Sequence, residues 1–226
     1  MAQKSARMVL AAAAVLSFGK MSMGQTPGFS KTLSEARSAI IQPALTLKDR
    51  MKERPKIAPP NFGMVSEGIY RGGRPKTAGN FDYLKNLGVS TVIDLEYFHE
   101  DSPVFCRPRG LNCVREPLLL FPFGDEFFNW KTFREAFRLV LSERAQGRVV
   151  YFHCKDGSDR TGALAAALMI RNAACGVPLD AAARNALWTR IDQTLSQYGF
   201  HEVFAFLHEK IKSWIYDPSN NRWLCR

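Results

Sequence analysis

The most constraining stretch of this 226-residue chain runs from Arg148 to Ile170. Arg148-Val-Val-Tyr-Phe-His153 has the unbroken apolar character of a buried strand, and Ala163-Leu-Ala-Ala-Ala-Leu-Met-Ile170 that of a buried helix. Between them lies His153-Cys154-Lys155-Asp156-Gly157-Ser158-Asp159-Arg160-Thr161-Gly162. Any fold that accepts this run must join a strand end to a helix N-terminus across a short loop. A thiol then opens the loop and a guanidinium follows six positions later. Such a turn can aim successive backbone N–H groups into one concavity, and the helix adds its positive end, which together suit a phosphate.

The residue types answer the needs of phosphoryl transfer to sulfur. The field of the loop favours a thiolate at Cys154 over a thiol. Arg160 can hold two phosphate oxygens through its planar fork, which a lysine cannot do. Gly157 lets the backbone come close or take positive φ, and Gly162 lets the helix pack tightly. Lys155, Asp156, Gly157, Ser158, Asp159 and Arg160 form the expected phosphate cradle. The Thr161 hydroxyl is expected to donate to the sulfur. His153 is expected to orient the loop through backbone hydrogen bonds, its plainer alternative being an ordinary core histidine. The plainer alternative for Cys154 is a buried structural thiol.

The rest of the chain alternates strand and helix signals. Phe62 to Tyr70 reads as a strand pair turning at Glu67-Gly68, followed by a loop at Arg71-Gly-Gly-Arg-Pro75. Thr77 to Leu87 reads as a helix stopped by Gly88, and Val89–Leu95 and Leu111–Arg115 as strands. Trp130, Phe133, Phe137, Val140 and Leu141 mark one helix face. Pro178 and Asp180 open a second helix carrying Leu187 and Ile191, and residues from Phe200 to Ile215 a third. Strand–helix alternation implies an α/β fold, a mostly parallel sheet covered on both faces. Ligands of such sheets bind beyond the carboxyl ends of the strands, where the Cys154 loop falls. The expected organisation is an export signal at 1–24, a leader at 25–60, a catalytic domain at 61–216 and a tail at 217–226.

The signal is read from Lys4 and Arg7 before an 11-residue apolar run, too short to span a bilayer, with Ser22 and Gly24 at a cleavage position. The expected product is soluble and periplasmic or secreted, the plainer alternative being a retained amphipathic segment. The formal charge of +10 falls to +7 without residues 1–24, and an acidic partner suits it. Five cysteines, an odd count, fit one free thiol at Cys154 and up to two bridges among Cys106, Cys113, Cys175 and Cys225. Cys106 and Cys113 flank a Pro-Arg-Gly turn; they can pair, but small buried fillers is the favoured reading. No ligand pair stands at zinc-like spacing.

The string at 153–162 matches His-Cys-x2-Gly-x2-Arg-Thr-Gly at every fixed position and resembles the cysteine-based phosphatase superfamily. The stretch from Asn61 through Asp94 resembles its atypical dual-specificity branch of plants and fungi. Phe62, Met64, Val65, Gly68, Ile69, Tyr70, Arg71, Gly73 and Pro75 fit that branch's entry segment, ahead of a helix and a Val-Ile-Asp-Leu strand. The likeness spans residues 61–175. It implies a dual-specificity-phosphatase-like fold, no metal or other cofactor, and a general acid about thirty residues before the nucleophile. Asp125, 29 positions upstream in Phe121-Pro-Phe-Gly-Asp-Glu-Phe-Phe128, is the expected acid. Its alternatives are Glu126, the His99-Glu100-Asp101 cluster, and Asp159 within the loop, as in lipid-phosphatase branches.

Lys155 resembles the phosphatases of inositol lipids and inositol polyphosphates, and the loop and acid spacing resemble the cysteine phytases. Arg71, Arg74, Lys76, Arg107 and Arg109 would supply a cationic rim. The expected partner is a phosphorylated protein or an inositol phosphate. No nucleic acid is expected, and membrane contact only through a phosphoinositide substrate. Two other functions are compatible with a Cys-x5-Arg loop: a silent phosphate-binding module, and a rhodanese-like sulfur carrier. The Arg-Thr-Gly ending and the upstream acid argue against the carrier.

Overall fold

The computed structural model describes residues 57–226 apart from Phe123, and the side chains of Asp125 and Pro218 are outside that description. The expected export signal and the leader up to residue 56 lie outside it too. Five strands form one sheet in the order β1-β2-β5-β3-β4. They are β1 (Gly63–Ser66), β2 (Ile69–Gly73), β3 (Val89–Glu96), β4 (Asn112–Leu118) and β5 (Val149–Cys154). Only the β1–β2 pair is antiparallel, so β5 sits at the centre with parallel neighbours.

Between the strands run α1 (Ala78–Asn86), the short α2 (Pro103–Cys106) and α3 (Trp130–Ala145), and α4 (Asp159–Ala174) follows the last strand, β5. After them come α5 (Ala181–Gln197), α6 (Ala205–Tyr216) and the short α7 (Pro218–Asn221). Local chemistry sets several of these starts. Thr77 and Asn80 form a reciprocal capping box at α1, and the Asp180 carboxylate accepts from the Ala183 N–H at 2.7 Å to open α5.

The two-residue period of β5 divides the core. Val150, Phe152 and Cys154 face the larger cluster, built with α3 to α6 around Phe133, Leu164 and Trp214. Tyr151 faces the other way, into a smaller cluster with Phe81, Leu84 and Leu111. His153 must follow Tyr151 to that second face, while Cys154 returns to the first. Helix α4 is apolar nearly all round because it is buried nearly all round.

Four expectations need correction. Arg71–Gly73, read as loop, belongs to β2, because β5 continues to Cys154 and pairs with Gly72 and Gly73. The last long helix begins at Ala205 rather than Phe200. A 3₁₀ turn, Glu202–Phe204, precedes it and leaves Val203 58% exposed. Residues 217–226 are no loose tail: Leu224 is buried, Trp223 packs against the core and Cys225 is bridged to Cys175. Cys106 and Cys113, favoured as unpaired fillers, form a second disulfide. Cys154 is the free cysteine that remains, as the odd count anticipated.

Candidate active site

The loop after β5 is built as the strand–loop–helix reading requires. β5 ends at Cys154, α4 begins at Asp159, and Ser158 sits at the N-cap without a side-chain hydrogen bond to the helix. Among the described residues, the amides of Asp156, Gly157 and Ser158 meet no backbone carbonyl. These donors and the first turn of α4 are therefore available to an anion. Cys154 is 3% exposed, at the base of the loop.

The loop is held from below by β2 and by the segment that precedes β1. Arg74 N–H donates to the Lys155 carbonyl at 3.1 Å, and Asn61 Nδ2 donates to the Asp156 carbonyl at 2.8 Å. Gly157 has φ +79°, and a Cβ there would lie 2.5 Å from both Gly72 C and Gly73 N. Only glycine allows loop and strand to approach so closely. Arg71 also reaches the loop, donating from Nη2 to the Gly157 carbonyl.

His153 is fully buried and does more than brace the backbone. Its Nε2–H donates to Asp101 Oδ2 at 2.9 Å, and its Nδ1 lies 3.4 Å from the Cys154 carbonyl and 3.8 Å from Asp94 Oδ1. Asp94 is the register partner of His153 across β3–β5. Burial pushes the imidazole down, but the Asp101 hydrogen bond and the charges of Asp101, Asp94 and Glu96 outweigh it and leave its pKa raised. Burial pushes Asp94 up to about 6, against the opposing pull of His153. Glu96 is held low despite its burial by a two-pronged pair with Arg74, Nε to Oε1 at 2.7 Å.

Arg160 is half-buried. Nη1 donates to the Leu118 carbonyl at 3.2 Å and the Leu95 carbonyl at 3.5 Å, at the ends of β4 and β3, while the buried Nε has no acceptor among the described residues. Thr161 departs from expectation. Its buried hydroxyl donates to the Gly72 carbonyl at 3.4 Å, so it ties α4 to β2 rather than donating to the sulfur. Asp159 is committed elsewhere too. Its carboxylate accepts the His201 N–H at 2.8 Å and lies 2.9 Å from His201 Nδ1, which fixes the start of α4 to the segment before α6.

Asp125 opens a 3₁₀ turn, Asp125–Phe127, between β4 and α3. It lies in the connection that leaves the carboxyl end of β4, and Glu126 beside it is exposed. Of the other candidate acids, Asp101 is buried against His153. The expected cationic rim is thinner than the sequence suggested. Arg71 is buried, Arg74 is paired with Glu96, and Arg109 donates to Asp82 at 2.7 Å; Lys76, Arg107 and Lys155 are exposed. Sequence reading had no purchase on Asp94 or His201, whose partners lie 59 and 42 positions away, nor on the paired role of Asp101.

This arrangement of a mostly parallel sheet with a strand–loop–helix connection after its central strand is that of dual-specificity-phosphatase-like folds. The core catalytic domain of the PP-IP phosphatase SIW14 from S. cerevisiae is similar, with 22% identity and a TM-score of 0.54 over 74% of this chain and 96% of that one. The structure of DUSP15 is also similar, with 15% identity and a TM-score of 0.53 over 72% and 92%. The tyrosine phosphatase family model matches residues 56–172, and the chain belongs to that family.

Among named relatives, inositol diphosphatase DSP4 of Arabidopsis thaliana is 32% identical over 117 residues, covering 48% of this chain and 54% of the relative. Inositol diphosphatase DSP1 of Oryza sativa subsp. japonica is 32% identical over 121 residues, covering half of each. The chain thus spans about half the length of the curated relatives it matches.

Proposed function

We propose that the protein is a cysteine-dependent phosphomonoester hydrolase of dual-specificity type, acting through a phosphocysteine intermediate on inositol phosphates. The observation that carries this reading is the free thiol of Cys154 at the end of β5, ahead of loop amides that meet no backbone carbonyl and of Arg160, whose buried Nε has no acceptor among the described residues. The Cys154 thiolate attacks phosphorus in line with the leaving oxygen. The P–S bond forms, the P–O bond breaks, and Asp125 gives its proton to the leaving oxygen. Loop amides and Arg160 hold the equatorial oxygens, where charge accumulates. Water then attacks the phosphocysteine and gives a proton to Asp125, and the thiolate leaves.

His153 keeps Cys154 in place through its contact with the adjoining carbonyl, and Asp101 keeps His153 in place. Thr161 and Asp159 act as anchors of the loop. The inositol-phosphate assignment draws support from exposed Lys155 beside the nucleophile, from a net charge that stays positive (+10 for the full sequence, +7 without residues 1–24) and from the names of the relatives. Export to an oxidising compartment is part of the same reading, supported by the pairing of all four remaining cysteines.

Phosphate release by the purified protein, with chelator present, tests the reading on three substrates: an inositol diphosphate, inositol hexakisphosphate and a phosphotyrosine peptide. Chelator-resistant turnover of an inositol phosphate, lost in Cys154→Ser, is expected. Preference for the peptide would overturn the substrate class. Binding without single-turnover release would favour a silent capture module instead.

A further inference from the structure

Arg71 is placed where a surface arginine has no reason to be. It is 1% exposed in the middle of β2, in register with Phe152 of β5. Its Nη2 donates to the Gly157 carbonyl, and its Cζ lies 4.0 Å from the centre of the Tyr198 ring. A cation taken out of water ordinarily lies against a carboxylate. Arg71 has none among the described residues, and its buried Nε and Nη1 have no acceptor there. Beside it stand Tyr198, Tyr151 and, on the sheet face that Arg71 shares with its register partner Phe152, Cys154, which pairs with Gly73 two residues on. Tyr198 offers its ring face. Tyr151 donates its hydroxyl to the Gly73 carbonyl at 2.5 Å, and burial holds it far from ionising. Cys154 is the neighbour with a use for the charge. Burial lowers the guanidinium to about 10, which leaves it cationic at neutral pH.

We propose that Arg71 is a positioning residue of the active site, clamping the Gly157 carbonyl from beneath while its charge holds Cys154 as the thiolate. The inference rests on the reading of Cys154 as the attacking group. The two roles make different demands: the clamp needs a donor, and the electrostatic role needs a cation.

The test is the pH dependence of Cys154 alkylation by iodoacetamide in the full chain, together with kcat/KM on p-nitrophenyl phosphate from pH 5 to 8. Cys154 is the free thiol, so alkylation reports on it alone. Arg71→Lys keeps donor and charge, Arg71→Gln keeps a donor without charge, and Arg71→Met is a second neutral variant with an apolar stem. In the neutral variants the alkylation midpoint should rise by about one pH unit. Alkylation and kcat/KM below the midpoint then fall about tenfold and recover at high pH. Arg71→Lys should stay within about 0.3 unit of the parent. A folded neutral variant with an unmoved midpoint would overturn the electrostatic role, since a clamp alone changes rate without moving the profile. If neither neutral variant folds, Arg71→Lys decides: a full-unit shift overturns the proposal, and an unmoved midpoint with retained turnover supports it. If alkylation of the parent leaves phosphate release intact, the nucleophile assignment fails and Arg71 falls with it. Loss of activity on alkylation, with flat variant profiles, sinks Arg71 alone.

Discussion

Replacing Gly157 by alanine separates backbone strain from displacement of the loop. The added Cβ would stand 2.5 Å from Gly72 C and Gly73 N and 2.8 Å from Gly72 O. Carbon contacts settle near 3.5 Å, so relief needs a movement of about 1 Å. β2 cannot supply it, because it is paired along β5 and Gly73 N–H is bonded to the Pro60 carbonyl at 2.6 Å. The loop must move, and a misplacement of about 1 Å costs on the order of 100-fold in rate. The φ of +79° adds about 1–2 kcal/mol of strain, or several degrees of Tm. Gly147→Ala is the matched control, with φ +74° and nothing within 4 Å of its Cβ. Thermal melts and kcat/KM on p-nitrophenyl phosphate should show both variants destabilised, but only Gly157→Ala slowed about 100-fold. A Gly157→Ala enzyme within about threefold of the Gly147→Ala control would refute the requirement for close approach.

Asp125→Asn should lower kcat by about 10²–10⁴-fold on alkyl phosphates and far less on p-nitrophenyl phosphate, whose leaving group needs no proton; equal losses on both would move the acid elsewhere. Asp94 carries a folded-state pKa of about 6 against an ordinary 3.8. A raised carboxyl favours folding below its ordinary value, and that contribution is lost as pH rises to about 6, at about 1.4 kcal/mol per unit. Chemical denaturation between pH 4 and 7 should therefore show a decline in the parent that Asp94→Asn flattens, and a variant with the parent's slope would assign the decline to other groups. Removing the Cys175–Cys225 bridge, which closes a separation of 50, should cost about 4 kcal/mol on a chain-entropy model. Cys175→Ser measured against the parent in urea checks this, and a loss below about 1 kcal/mol would show that the C-terminal segment holds by packing alone.

How much was legible in the sequence followed from how local each feature is. The loop is local: one strand, four residues and one helix turn specify it, and Gly157 takes the positive φ and close approach that its residue type permits. The surroundings of His153 are not local. Asp94 reaches it through β3–β5 register, and Asp101 through the connection after β3, and neither relation shows in residue spacing. Arg71-Gly-Gly looked like a loop because glycine weakens strands, but parallel pairing with β5 overrode that preference and buried the arginine. The helical stripe from Phe200 broke for a similar reason. Gly199 takes φ +70° and the His201 N–H is drawn to Asp159, so the chain starts its helix only at Ala205. Cys106 and Cys113, seven apart, were compatible with either state, and nothing in their spacing chose the bridge.

The covalent step is open to direct observation. Single turnovers of the Asp125→Asn variant, quenched in the millisecond-to-second range and digested, should yield a phosphoryl group on the peptide that carries Cys154. That adduct should form before phosphate appears in solution and decay as phosphate is released, and should be missing from Cys154→Ser. Phosphate release at the parental rate by Cys154→Ser, or a phosphoryl group on another residue, would contradict it.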